Sequence, residues 1–352
     1  MPGTLQLKAL SDIDLDDPFF DSLKNQYGEF PQWFAGKAAS GEQAYVIYDE
    51  GVDELRGFLY LKLEDGPVTD VQPPLPAARR IKVGTFKIVA HGTKLGERAV
   101  KKIFDHAIAS EAEQIYVTAF PTHKPLLRLL ERYGFEERGN KITPNGEEIV
   151  LVKELTDSSD ELVERYPIIR QESGRCFLLA IYPEFHTQLF PDSILVTEPP
   201  DILSDVSHTN TIHKVYVAGL PLTMMKKGDA VVIYRTTDKG GRARYRSVAT
   251  SVCVVEETRS RRDFANVQEF VDYCLPHSVF SEEELRERFN STKRLFTVRM
   301  TYNIAFPKRP NRDRLLDVVG LTDPPRFQFR RITDGEFRHI LELAEVPARL
   351  LA

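Results

Sequence analysis

Polar and apolar positions alternate along residues 43–63: Ala44, Val46 and Tyr48 on one run, Phe58 and Tyr60 on the next, with Asp49–Asp53 between them. A period of two is that of half-buried antiparallel strands joined by a turn. The period changes after Gly96. Val100, Ile103, Phe104, Ala107 and Ile108 fall at the i, i+3, i+4, i+7, i+8 positions of a helix that covers a sheet. Further strands are expected at Leu5–Ala9, Arg80–Ala90, Gln114–Phe120, Phe135–Lys141 and Glu147–Leu155, the last two closing as a hairpin around Pro144 to Gly146. Asp17–Ala38 reads as mostly helix with an interruption near Pro31, and Pro125–Tyr133 as a short Leu-rich helix stopped by Gly134. Pro67–Pro76 reads as a proline-rich surface connection. The order β-α-β-β-β-α-β-α-β-β thus accounts for residues 4–155.

Beyond Thr156–Glu172, a polar and acidic stretch, the texture becomes strand-dominated. Strands are expected at Cys176–Tyr182, Val215–Leu220, the run ending at Arg235, Arg244–Glu257, Arg294–Phe306 and Arg326–Ile332. Helices are expected at Val267–Tyr273, Glu282–Phe289, Arg312–Val318 and Asp334–Ala344. A chain of 352 residues accommodates two domains with separate cores. The expected division is 1–155, a 156–174 linker, and 175–352.

Composition narrows the class without naming a function. Hydrophobic residues make up 42% and charged residues 28%, as in globular proteins, and a net charge of −5 gives no global sign of nucleic-acid or membrane affinity. No apolar run approaches the roughly 20 residues that span a bilayer, and the first residues lack the layout of a secretory signal. Cys176, Cys253 and Cys274 have neither metal-ligand nor CxxC spacing. Reduced, buried thiols, a cytoplasmic location and no bound metal are the expectations.

The densest chemistry lies where a strand runs through a glycine-containing turn into a helix, His91-Gly-Thr-Lys-Leu-Gly96. The first turn of a helix leaves backbone N–H groups unpaired, and with the helix dipole they favour a phosphate. This run, with Gly96 as its matching glycine, resembles the acyl-CoA-binding loop of the GNAT (Gcn5-related N-acetyltransferase) family, and the element order of residues 4–155 is similar to that family's. The resemblance implies a mixed, mostly antiparallel α/β sheet with flanking helices and acetyl-CoA as co-substrate. Ile88, Val89, Ala90, Gly92, Thr93, Lys94, Leu95, Gly96 and Glu97 would receive its pantetheine and diphosphate. A plain surface loop capping the helix would account for the same residues.

The family's reaction needs a deprotonated amine and often an acid for the departing thiolate. That acid is commonly a Tyr four residues before a Gly-Phe pair, a place held here by Leu130. Tyr133 and His123 are the candidate catalytic residues in its stead.

In the second half, Lys227-Gly-Asp-Ala-Val-Val-Ile-Tyr-Arg-Thr236 resembles the entry to a barrel strand in the PUA-like superfamily, in its ASCH and EVE branches. The resemblance implies an α+β PUA-like β-barrel, a fold many of whose members bind RNA or modified bases. Basic runs at 239–246, 259–262 and 308–314 are interleaved with aromatics near Phe327 and Phe329. Arg235, Arg242, Arg244, Arg246, Lys308 and Arg309 are the candidate nucleic-acid contacts; a solvated charged surface would contain them equally. The combined expectation is an acetyl-CoA-dependent N-acetyltransferase acting on an amine carried by or near RNA: aminoacyl-tRNA, a modified base or an RNA-bound protein. Two alternatives stay open. One is a non-catalytic acyl-CoA sensor that binds RNA, and the other a small-molecule or protein acetyltransferase with a structural or dimerising C-terminal module.

Overall fold

A computed structural model describes residues 5–48, 54–89, 94–157, 159–171, 174–193, 210–237, 243–322 and 327–352. The chain separates into two compact units, Met1–Ser158 and Ser159–Ala352.

The first unit is a seven-stranded sheet: β1 (Leu5–Ala9), β2 (Gln43–Tyr48), β3 (Leu55–Val68), β4 (Leu75–Ile88), β5 (Gln114–Ala119), β6 (Glu136–Thr143) and β7 (Gly146–Glu154), in the order β1-β2-β3-β4-β5-β7-β6. Every pairing is antiparallel except β4 with β5. Helices α1 (Asp21–Gln26) and α2 (Phe30–Ala39) follow β1, α3 (Leu95–Ala109) joins β4 to β5, and α4 (Lys124–Glu131) joins β5 to β6.

The two faces of the sheet are covered differently. Val46 and Phe58 point into an aromatic cluster with Phe20, Phe30 and Phe34 of the α1–α2 side. Their neighbour Tyr45 points the other way, with its ring 6.4 Å from His106 of α3. Side chains alternate along a strand, so α1–α2 and α3 lie on opposite faces. On the α3 face, Phe104 packs against Tyr133 and Phe135 beyond α4, at 6.4 and 6.2 Å.

Two expectations change here. The proline-rich stretch is not a long connection: β3 and β4 pair as far as Val68 and Leu75, leaving only residues 69–74 as the turn. The helix break falls at Tyr27–Glu29 rather than at Pro31, which sits in the first turn of α2, where a missing N–H costs nothing.

The second unit holds a six-stranded mixed sheet of β8 (Cys176–Ile181), β9 (His213–Ala218), β10 (Ala230–Arg235), β11 (Val248–Ser260), β12 (Phe296–Ala305) and β13 (Phe329–Ile332), ordered β13-β8-β10-β11-β12-β9. Around it lie α5 (Leu162–Arg165), α6 (Pro183–Leu189), α7 (Ala243–Arg246), α8 (Val267–Cys274), α9 (Glu282–Ser291), α10 (Arg312–Asp317) and α11 (Asp334–Leu343). Gly228 enters β10 at φ +91°, a conformation that suits glycine alone among common residues. Among the described residues β13 and β9 remain separate edges, so the expected barrel is seen as an open sheet. Arg244 and Arg246 are helical, in α7, and the long strand begins two residues later at Val248. The thiols of Cys176, Cys253 and Cys274 are buried and unbridged; burial pushes that of Cys176 up to about 12.

Candidate functional site

The one parallel ladder of the first sheet is short. β4 and β5 pair at Arg80–Gln114, Ile81–Ile115, Lys82–Tyr116 and Val83–Val117, and there the ladder stops although both strands continue. The next residue, Gly84, is the extra member of a bulge: Leu61 of β3 faces Val83 and Tyr60 faces Thr85, so nothing opposes Gly84. A bulge bends its strand and increases its twist, carrying β4 away from β5. Exposure follows, with Ile81 and Val83 buried and residues 84–89 partly open. The Val89 N–H is taken by Arg56 of the β2–β3 side at 2.9 Å. Successive strand amides point to opposite edges, so the amide of Ile88 is aimed into the split.

Helix α3 begins beside this opening. Among the described residues, the first-turn N–H groups of Leu95 and Gly96 donate to no acceptor, while that of Arg98 closes the first helical bond to Lys94 at 3.0 Å. The first turn also carries Glu97, which is buried; its Oε1 lies 3.4 Å from Lys94 Nζ and 3.1 Å from Arg132 Nη1. Lys94 and Arg132 are both half-exposed and set two cations at this helix mouth. A Cβ on Gly96 would come 2.9 Å from Leu129 Cδ2, so the α3–α4 contact is close there. Two free amides, two cations and one internal carboxylate suit a diphosphate. Ala90, His91, Gly92 and Thr93 lie outside the described residues.

The other predicted residues fall as follows. His123 precedes α4, half-buried, with Nε2 3.0 Å from Gln26 Nε2 and its ring 6.3 Å from Phe120. Tyr133 is fully buried against Phe104, and Leu130 is buried as well. Sequence reasoning missed Tyr27 and Glu148. The Tyr27 hydroxyl donates to Glu148 Oε1 at 3.0 Å, and its ring lies 5.4 Å from Phe120. Burial first, and then the Glu148 charge, hold the Tyr27 phenol well above its ordinary range. Neither residue belongs to a motif, and 121 positions separate them, so no local pattern could have joined them.

In the second unit the predicted basic residues differ in exposure and pairing. Arg235 is buried on β10. Arg244 is exposed but held by Asp313 at 2.5 Å and Asp317 at 3.0 Å, which raise its pKa. Lys308 is paired with Glu345. Arg246 is exposed at the end of α7, Arg309 is half-buried, and Arg242 lies outside the described residues. Deeper in the same unit His186 is fully enclosed, with Nε2 2.8 Å from Thr250 Oγ1; burial, then Arg235 and Arg309, depress it to about 3. Among the described residues no cluster of three His, Cys, Asp or Glu could hold a metal ion, and no helix is long and apolar enough to cross a membrane.

No family model matches the sequence, and no curated protein matches it. Among solved structures, the ASCH protein of Zymomonas mobilis is similar at 12% identity, over 48% of this chain and 95% of its own, with a TM-score of 0.34. A GNAT-family acetyltransferase from Bordetella pertussis is similar at 16% identity, over 43% of this chain and 96% of its own, with a TM-score of 0.31. The NatC complex bound to Gag peptide and CoA contains a chain 18% identical, covering 43% of this one and 99% of its own, with a TM-score of 0.29.

Proposed function

We propose that the chain is an acetyl-CoA-dependent N-acetyltransferase, with residues 1–155 as the acyl-CoA-binding domain and 175–352 as a PUA-like domain that recognises RNA or a modified nucleotide. The observation that supports the acyl-transfer reading best is the interrupted β4–β5 ladder beside the mouth of α3. An extended pantetheine arm needs free backbone groups on a strand edge, and β4 offers them from Gly84 to Ile88. Its diphosphate needs a cationic helix mouth, and Leu95, Gly96, Lys94 and Arg132 offer one. Holding the thioester against an amine supplies much of the catalysis, because a fixed geometry replaces a bimolecular encounter. Tyr133 and Leu130 are buried, so the departing thiolate would be protonated from His123 or from solvent.

Gly96→Trp tests the pocket. A folded variant should lose acetyl-CoA binding by calorimetry, and unchanged affinity would refute the assignment. The RNA half of the proposal rests on Arg246, exposed at the end of α7, and on the basic runs around it. Titrating the full chain with RNA over a range of salt should give affinity that falls as salt rises. The carboxylates that hold Arg244 and Lys308 favour the second reading, an acetyltransferase whose C-terminal half is structural; an RNA affinity no greater than that of an acidic control protein would establish it.

A further inference from the structure

Glu148 is 4% exposed, yet no cation reaches it among the described residues. Its Oε1 accepts one neutral hydrogen bond, from Tyr27, and among the described residues no donor is seen at its Oε2. Enclosed carboxylates are normally paired with a cation. Two other enclosed charges of this unit are paired: Glu97 has Lys94 and Arg132, and Lys101 has Asp105 at 2.8 Å.

Its position gives the exception a purpose. β5 and β7 pair Thr118 with Val150 and Ala119 with Ile149, so Glu148 follows at the end of β5 where the β4–β5 ladder has already stopped. It shares a face with Val150, two residues away, and that is the face of Tyr27 and α1–α2. The helix mouth of α3 lies on the opposite face. A thioester entering from the α3 side would therefore present its carbonyl, through the split, toward the side that holds Glu148. Two further links tie the Gln26–Glu29 segment over this place: Asn145 Nδ2 donates to Glu29 at 2.8 and 2.9 Å, and Gln26 meets His123.

We infer that Glu148 is the catalytic residue that binds a protonated primary amine and removes its proton, so the acceptor is a cationic amine delivered from the α1–α2 face. This rests on the acyl-transfer reading above. The ammonium R–NH3+ gives one proton to the free Glu148 oxygen, and the nitrogen lone pair forms a bond to the thioester carbonyl carbon. The carbon–sulfur bond breaks, the leaving thiolate takes a proton from His123 or solvent, the nitrogen gives its second proton to solvent, and Glu148 returns its own to solvent. Tyr27 is a positioning residue that fixes the carboxylate through Oε1.

The test measures thiol release from acetyl-CoA with a panel of primary amines: a peptide with a free N-terminus, an N-blocked lysine peptide, spermidine and an aminoacyl-tRNA. Acetyl-CoA binding is followed separately by calorimetry. Glu148→Gln keeps an oxygen for Tyr27 and should lower amine-dependent kcat/KM about 100-fold or more, with acetyl-CoA affinity within about threefold of the parent (roughly 0.7 kcal/mol). Glu148→Ala should regain activity with added formate, which a purely structural carboxylate would not show. Failure of the parent protein to bind acetyl-CoA overturns the acyl-transfer reading. Binding without turnover of any amine, turnover by E148Q near the parent's, or an alanine variant that formate does not rescue overturns the role of Glu148 alone.

Discussion

Gly84 is the position where the geometry of the split can be tested by one methyl group. An ideal Cβ at Gly84 would lie 2.7 Å from Tyr60 Cδ1 and 3.2 Å from Cε1, well inside ordinary contact. Tyr60 is not free to withdraw: it is 2% exposed, with Trp33 edge-on at 5.2 Å and the Lys37 ammonium 5.4 Å from its ring. Gly84→Ala must therefore displace either the ring or the bulge. Overpacking of this kind costs about 1–3 kcal/mol, which in a unit of this size lowers the melting midpoint by roughly 2–12 °C. Flattening the bulge would also let β4 run on beside β5 and narrow the opening, so acetyl-CoA affinity should fall about tenfold or more, some 1.4 kcal/mol. Urea unfolding and calorimetry read the two effects separately. A Tyr60→Val background removes the clash, and there Gly84→Ala should be nearly neutral in stability, with a coupling of about 1–3 kcal/mol between the sites. If Gly84→Ala changes neither stability nor affinity in the parent protein, the bulge does not hold the strands apart, and the main support for the acyl-CoA site is gone.

Two other predictions concern the second unit. His186 is depressed to about 3 in the folded chain, so between that value and its ordinary pKa of about 6.5 the unfolded state binds a proton that the native state does not. Stability is then complete above about pH 6.5 and falls as pH drops, by up to about 2 kcal/mol at pH 5; guanidinium unfolding at pH 7 and pH 5 should show this loss reduced in His186→Asn, and an equal loss in both would contradict it. Replacing Asp313 and Asp317 together by Asn frees Arg244, so RNA affinity should rise and the slope of log affinity against log salt should steepen by about one. An unchanged slope would place RNA away from α7 and α10.

Element types were largely legible in the sequence because local physics sets them. The stripe from Val100 to Ile108 allows only a helix lying on a sheet, and the alternation at 44–48 only a strand with two unlike faces. Errors arose where a local cue met a non-local partner. Pro67 and Pro76 look like loop residues, yet the β3–β4 pairing continues to Val68 and Leu75 and puts both in strands. The segment at Arg244 continues a β-branched run, yet turns helical where Asp313 and Asp317 of α10 hold it.

The helix-mouth half of the candidate site could be read for the same reason: a turn, a helix start and Gly96 are neighbours along the chain. The amine half could not, since Tyr27, Phe120 and Glu148 come from a loop between helices, a strand end and a hairpin. Their conjunction is set by sheet order and register, which place β7 beside β5 and Glu148 at the end of the split. Whether a charged residue is available to a ligand depends likewise on what stands opposite it. Arg244 and Lys308 look free in a basic run and are neutralised by distant acids, whereas Glu148 looks like one more hairpin carboxylate and is enclosed with no counter-charge among the described residues. Periodicity records which way a side chain faces, and only the assembled sheet brings it a partner or leaves it wanting one.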